Sequence, residues 1–392
     1  MARATRSEQP PRIAIIGAGP IGLEAALYAR RLEWPVTVYE VGQVGQYVRA
    51  WGHVRMFSPF GWNSTSLGRQ ALLRDQPKLV LPALTELQTG SEWLDSYLVP
   101  ISQSSALQPV VQCGRTVHSI GRAGFLRHDP SDDPKRIQQP FRLLVTADKV
   151  ESIEQADVVL DCTGVFGHHR WIGDGGIPAR GEARAKPLIA YGLEDVLGDK
   201  QKQYEGRSIL VVGSGYSAAT TIANLAKLAE VHQATWMIWL VRGNRSQPIA
   251  RIPNDPLKER DKLAVRVNML ATRGEGNCEF HPSSYVEAIE SHGPDKGFRV
   301  EARCAGKTMS WEVERVIGQV GYRPAMTICT ELHAVTPESG TVASGEPNYY
   351  FLGMKSYGRD SNFLLRDGHD QIRALFAKLT GKPNLDFYAD KG

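Results

Sequence analysis

The sequence predicts an α/β protein of two βαβ-type domains, the second inserted into the first, and three observations carry that prediction. Two glycine fingerprints, Gly17-Ala18-Gly19-Pro20-Ile21-Gly22 and Gly213-Ser214-Gly215-Tyr216-Ser217-Ala218, lie about half a chain apart. Each follows a short apolar run and opens a helical pattern, the arrangement of a Rossmann-like dinucleotide site. Further apolar strand runs, Val158-Val159-Leu160 and Val316-Ile317, mark where the chain leaves the first domain and where it returns.

The first run, Ile13 to Ile16, is β-branched apart from Ala14, as suits a strand buried on both faces of a parallel sheet. Gly17 then supplies a tight turn, Gly19 lets backbone approach a pyrophosphate, and Gly22 allows close strand-to-helix packing. The helix from about Ile21 to Leu32 aims its positive end at those phosphates. Pro35 breaks the pattern, Val36-Thr37-Val38-Tyr39 forms a second strand, and Glu40 closes it 18 residues after Gly22, where an acid takes ribose hydroxyls.

The second fingerprint follows Ile209-Leu210-Val211-Val212, with Ala218 in place of the third glycine and a helix to about Leu228. The next strand, near Ala234 to Val241, ends in Arg242-Gly243-Asn244-Arg245 rather than in an acid. Guanidinium where a free ribose would want carboxylate favours a 2′-phosphate, hence NADPH. The alternative is that these arginines are solvated loop residues.

Composition bounds the function. The 392 residues suit two or three domains, 42% hydrophobic content is that of a globular protein, and a net charge of +4 is spread without a dominant basic run. Neither nucleic acid nor membrane is indicated as a partner; a small-molecule substrate is. The first eleven residues hold no apolar core of signal-peptide length, and no stretch reaches the roughly 18 apolar residues of a membrane span, so a cytoplasmic protein is expected. The cysteines at 113, 162, 278, 304 and 329 contain no C-x-x-C pair, and no metal site is expected.

From Gly42 to about Gln108 the βαβ rhythm gives way to aromatic and turn residues, among them Trp51, His53, Phe57, Phe60, Trp62, Trp93 and Tyr97, which reads as an inserted cap. A strand is expected over Val110 to Val117, an exposed loop over 127 to 140, and a strand from Phe141 to Val145. Val158 to Asp161 ends in Cys162-Thr163-Gly164. Near the C-terminus, Tyr350-Phe351-Leu352-Gly353 forms a strand, and Ile372, Leu375, Phe376 and Leu379 share one helix face.

With these residues in place, the chain resembles the flavoproteins with two dinucleotide-binding domains, a group that includes thioredoxin-reductase-like enzymes and flavin monooxygenases. The resemblance rests on the first fingerprint with Glu40, Cys162-Thr163-Gly164, the second fingerprint, Gly321-Tyr322-Arg323-Pro324 and the final strand-to-helix segment. It implies FAD at the first fingerprint, NAD(P)H at the second, and three segments: 1–165 as the first part of the FAD domain with the cap insert at 42–108, 166–320 as the NADPH domain, and 321–392 as the rest of the FAD domain.

Carried over by position, Gly17, Gly19, Pro20 and Gly22 would cradle the FAD pyrophosphate, Glu40 the ribose and Val117 the adenine, with Thr163, Gly164 and Gly353 at the FAD edge. Gly213, Gly215, Ser217, Ala218, Arg242 and Arg245 would hold NADPH. The nearest look is to the bacillithiol-disulfide-reductase-like branch, through His53 and Phe57-Ser58, although Ile21 stands where that branch carries cysteine. The usual Gly-Asp of the last strand is replaced by Gly353-Met354, and the monooxygenase F-x-G-x-x-x-H by Val165-Phe166-Gly167-His168-His169-Arg170-Trp171.

Two histidines are catalytic candidates. His53 lies among the cap aromatics, where it would serve as acid/base or orient substrate, with a hydrogen-bonded structural role as the alternative. His369 opens the last helix after Asp367, an N-cap candidate, and its charge is expected to respond near neutral pH beside an anionic reduced flavin. The resulting expectation is an FAD- and NADPH-dependent oxidoreductase, monooxygenase-like and acting on a small organic substrate. The alternatives are a reductase of a low-molecular-weight disulfide or other small acceptor, and a flavin-binding redox sensor with little turnover. A homodimer stays open as its assembly.

Overall fold

The computed structural model describes residues 9–274, 276–358, 360 and 362–389. The reading of the N-terminus as free of a leader falls largely on residues outside that range. In chain order the principal elements are β1 (Ile13–Ile16), α1 (Pro20–Arg31), β2 (Val36–Glu40), α2 (Ser66–Asp75), β3 (Val111–Cys113), β4 (Arg115–Arg122), β5 (Phe141–Ala147), β6 (Val150–Ala156) and β7 (Val158–Asp161). They continue with β8 (Ser208–Val212), α3 (Tyr216–Val231), β9 (Trp236–Leu240), α4 (Lys258–Arg273), β10 (Cys278–His281), β11 (Ser284–Ser291), β12 (Phe298–Cys304), β13 (Lys307–Val313), β14 (Arg315–Gly318), β15 (Tyr349–Phe351) and α5 (Leu365–Thr380).

Chain contacts divide these into two compact units. One holds Met1–Arg49, Ser58–His168 and Arg323–Gly392; the other holds Ala50–Phe57 and His169–Tyr322. The aromatic segment 42–108 is thus shared between them, and His53 belongs to the second.

The first unit is built on a parallel sheet of order β15-β7-β1-β2-β3. β1 is buried along its whole length, as its β-branched sequence requires of a central strand. One sheet face packs on the antiparallel sheet β4-β5-β6 through Ile16, Val117, Ile120, Phe141, Leu143 and Phe351. Elsewhere in the unit α1 packs on α5, where the Tyr28 and Phe376 rings stand 5.0 Å apart. Ile372, Leu375 and Phe376 are buried as their spacing requires, each removal of such a side chain from water contributing about 1.5–3 kcal/mol. The strand expected over Val110 to Val117 is two strands in different sheets, because Gly114 takes φ +70° and turns the chain between them. The loop expected over 127–140 contains a helical turn, Pro134–Gln138, and Arg136 is fully buried in it. Its guanidinium and that of Arg122 share the Glu346 carboxylate, at 2.9 and 3.0 Å.

The second unit repeats the plan, with a parallel sheet of order β10-β9-β8-β14 and an antiparallel sheet β11-β12-β13. α3 and α4 cover one face of the parallel sheet through Ile222, Leu225, Ala264 and Val267, and the antiparallel sheet covers the other through Val286, Val300 and Ala302.

Candidate functional site

The first cradle is set by three glycines with different duties. Gly17 takes φ +103°, and a Cβ there would lie 2.9 Å from the Cys162 carbonyl oxygen. A Cβ on Gly22 would fall 1.9 Å from the Gly17 oxygen, so α1 is pressed directly onto the turn. A Cβ on Gly19 would meet nothing within 4 Å: the fold leaves room there. α1 begins with Gly19 as N-cap and Pro20 in its first turn, and no side chain caps it. Amides left uncapped at a helix N-terminus suit an anionic group, and the open side of Gly19 suits the diphosphate of a dinucleotide.

Glu40 braces this turn. Its buried carboxylate accepts the Ala18 N–H at 2.8 Å and the Gly42 N–H at 2.9 Å, which holds the end of β2 against the loop. Each carboxylate oxygen has a second lone-pair site for a ribose hydroxyl.

The sheet order reverses between β1 and β7, and ligands of open α/β sheets bind beyond the strand ends at such a point. Here Ile16 pairs with Asp161 and the Cys162 N–H donates to the Ile16 carbonyl, so Thr163 and Gly164 lie across from Gly17. A buried network that the sequence did not reveal fixes them. Asp161 Oδ1 accepts the Thr163 hydroxyl at 2.7 Å and the Thr163 N–H at 3.2 Å. Its Oδ2 accepts the Tyr349 hydroxyl at 2.7 Å and the Lys355 ammonium at 2.5 Å. Lys355 donates also to Thr163 Oγ1 at 3.0 Å.

Gly353, φ +67°, packs on Ile21 of α1, as does Gly368 of α5. The Gly353 N–H donates to Gln371 Oε1 at 2.9 Å and its carbonyl accepts the Ser356 hydroxyl at 2.7 Å, so both of its backbone polar groups are engaged within the protein. Val117 is buried on β4, opposite Val145.

The second cradle lies in the other unit and follows the same rules. Gly213 takes φ +138°, and a Cβ on it would lie 2.1 Å from the Gln319 carbonyl oxygen, whereas one on Gly215 would meet nothing within 4 Å. α3 starts at Tyr216 with no side-chain cap, Ser217 stands in its first turn, and Ala218 is fully buried. Arg242 and Arg245 are exposed in the loop after β9. The Tyr216 ring is flanked by Phe57, at 5.8 Å, and by the Arg260 guanidinium, at 5.7 Å, which Asp255 holds through two 2.7 Å bonds.

His53 is half-buried. His369 corrects the expectation placed on it: it is 8% exposed, and burial pushes its imidazole down to about 4, so it is neutral at neutral pH and its charge does not respond there. Asp367 is likewise not the N-cap. α5 starts two residues earlier, and the Asp367 carboxylate accepts the Leu364 N–H at 2.8 Å from within the first turn. Nearby in the same unit, the buried carboxyl of Glu24 receives the hydroxyls of Tyr97 and of Thr65, the latter at 2.8 Å, and burial pushes it up to about 7.

No protein-family model matches the chain, and no curated protein does. Solved structures do. The bacillithiol disulfide reductase of Bacillus cereus is matched over 95% of this chain and 100% of its own, at TM-score 0.68 and 17% identity. The FAD-bound cadaverine monooxygenase of desferrioxamine biosynthesis from Erwinia amylovora is matched over 97% and 98%, at 0.66 and 14%. A flavin monooxygenase from Stenotrophomonas maltophilia is matched over 95% and 99%, at 0.61 and 20%. The chain therefore has the α/β fold of these two-domain proteins along nearly its whole length.

Proposed function

We propose that this protein is an FAD-dependent oxidoreductase that draws its electrons from NADPH. One observation carries the reading: each unit holds its own uncapped, glycine-bounded cradle at the end of a parallel strand, with Glu40 bracing the turn of the first and Arg242 and Arg245 exposed in the loop after β9 of the second. The similarity to an FAD-bound monooxygenase supports the first of these cofactors.

The residues fit these groups. Gly17, Gly19 and Gly22 with Pro20 would hold the FAD diphosphate, Glu40 its ribose, and Thr163 and Gly164 a further edge. Gly213, Gly215, Ser217 and Ala218 would hold the NADPH diphosphate, with Arg242 and Arg245 for the 2′-phosphate. FAD, when bound, supplies hydride acceptance from a reduced nicotinamide and electron delivery to a second substrate. The chain contributes binding and field. Neutral His369 brings no positive charge near neutral pH, which leaves the N-terminal end of α5 as the positive pole of that helix.

For the electron acceptor, the favoured reading is a monooxygenase-like reaction on a small organic substrate: NADPH, a proton, oxygen and substrate give NADP⁺, water and the hydroxylated product. The cysteines support it. The sequence holds no C-x-x-C pair, and burial keeps the Cys162 thiol beside Asp161 protonated and so a poor nucleophile. The second reading is reduction of a small disulfide to two thiols by NADPH and a proton, favoured by the likeness to the bacillithiol disulfide reductase. Oxygen uptake coupled to a hydroxylated product tests the first. NADPH oxidation that proceeds without oxygen on adding a disulfide would replace it with the second. FAD binding without hydride acceptance would leave a redox sensor.

A further inference from the structure

We propose that Lys355 is a positioning residue for the dinucleotide of the first cradle, acting through Asp161 and Thr163 to fix the turn that lines that site. The proposal rests on the FAD reading and deepens it.

Lys355 and Asp161 are both fully buried, and such a pair costs more to desolvate than apolar residues of the same volume. Stability alone would be served as well by an apolar pair, so its place in the fold points to another use. That place is the carboxyl end of β7, beside the reversal of strand order. The four lone-pair sites of Asp161 are filled by the Thr163 N–H, the Thr163 hydroxyl, the Tyr349 hydroxyl and the ammonium. Thr163 in turn accepts from Lys355, so the N–H and both hydroxyl functions of this residue point back into the protein. The next residue, Gly164, is thereby turned outward at φ +67°, where an added Cβ would meet nothing within 4 Å. The cation thus holds open the side of the turn that lies across from Gly17. It comes from the tight turn after β15, so the C-terminal segment sets the shape of a loop that precedes it by nearly two hundred residues.

The experiment measures FAD affinity of the apoprotein by flavin fluorescence quenching, the visible circular dichroism of the bound flavin, and the apoprotein melting temperature. Lys355→Met is made together with Asp161→Asn, so that no charge is left buried alone, and Thr163→Val is made separately. The expected result is about a tenfold loss of FAD affinity and an altered flavin dichroism in each, with apoprotein melting within a few degrees of wild type. Combining all three changes should cost no more than either alone, since one path carries the effect. Affinity and dichroism unchanged in the folded variants, or losses that multiply, would overturn the proposal. If the paired variant does not fold, Thr163→Val decides in the same terms. Wild-type protein that binds no FAD would instead overturn the functional reading beneath it.

Discussion

Gly19 and Gly22 lie three residues apart in one fingerprint, yet alanine at each should fail in opposite ways. Gly19 has φ −79° and ψ −178°, ordinary extended backbone, and its added Cβ has no neighbour within 4 Å. Gly19→Ala should leave the apoprotein within about 0.5 kcal/mol of wild type, or slightly stabilised through the unfolded chain. The same methyl would stand where a diphosphate approaches the backbone. A clash of that kind costs about 1–3 kcal/mol, or roughly 10- to 100-fold in FAD affinity. Gly22→Ala places its methyl 1.9 Å from the Gly17 oxygen, about an ångström inside the closest approach that atoms tolerate. The helix must move off the turn, again at about 1–3 kcal/mol, but now charged to the fold: a melting temperature lower by roughly 2–12 °C for a unit of this size. The assay is a pair of curves for each variant, thermal melting of the apoprotein and FAD titration. Gly19→Ala that binds FAD within about twofold of wild type, or that melts as low as Gly22→Ala, would show that the two glycines do not divide ligand approach and helix packing between them.

Arg242→Ala should weaken NADPH binding about 10- to 100-fold while leaving NADH within about twofold, as read from the KM for each; equal losses would remove the 2′-phosphate assignment. Two buried groups should pull the pH dependence of stability in opposite directions. The raised Glu24 holds a proton that the unfolded chain releases, so its contribution is lost as pH rises from 4.5 to about 7; the lowered His369 refuses a proton that the unfolded chain binds, so stability is lost as pH falls from 6.5 to about 4. Each amounts to about 3 kcal/mol. Glu24→Gln should therefore melt higher than wild type at pH 8, and His369→Leu should melt higher at pH 4.5; melting curves of either variant that parallel wild type across this range would refute the assignment. Glu346→Gln leaves the Arg122 and Arg136 guanidinium groups buried with a neutral partner and should destabilise by about 3–5 kcal/mol in urea unfolding. A loss under about 1 kcal/mol would mean that the two cations find other partners.

What the sequence made legible was whatever a local backbone constraint dictates. The turn glycines, the strand before each, and the helix after each follow from steric rules acting within a few residues, and so the two cradles stand where Gly17 and Gly213 put them. The break at Gly114 was hidden because a glycine inside a strand-like run fits a bulge as well as a turn, and only its positive φ separates the sheets. The buried guanidinium of Arg136 and the neutral imidazole of His369 were hidden for another reason. Their environments are made by Glu346 and by packing across the unit, and no spacing along the chain encodes that. The Asp161–Lys355 pair is the plainest case: Asp161 closes one apolar strand and Lys355 stands in the turn after another, and their meeting depends on β15 lying beside β7.

Titration of the FAD-loaded protein with NADPH in the absence of oxygen, followed by the visible flavin band, asks whether the two dinucleotide sites work in sequence. The expected result is loss of the band with about one NADPH per flavin, with reduction faster than by NADH. A protein that retains no FAD, or a bound flavin that stays oxidised in excess NADPH, would contradict it.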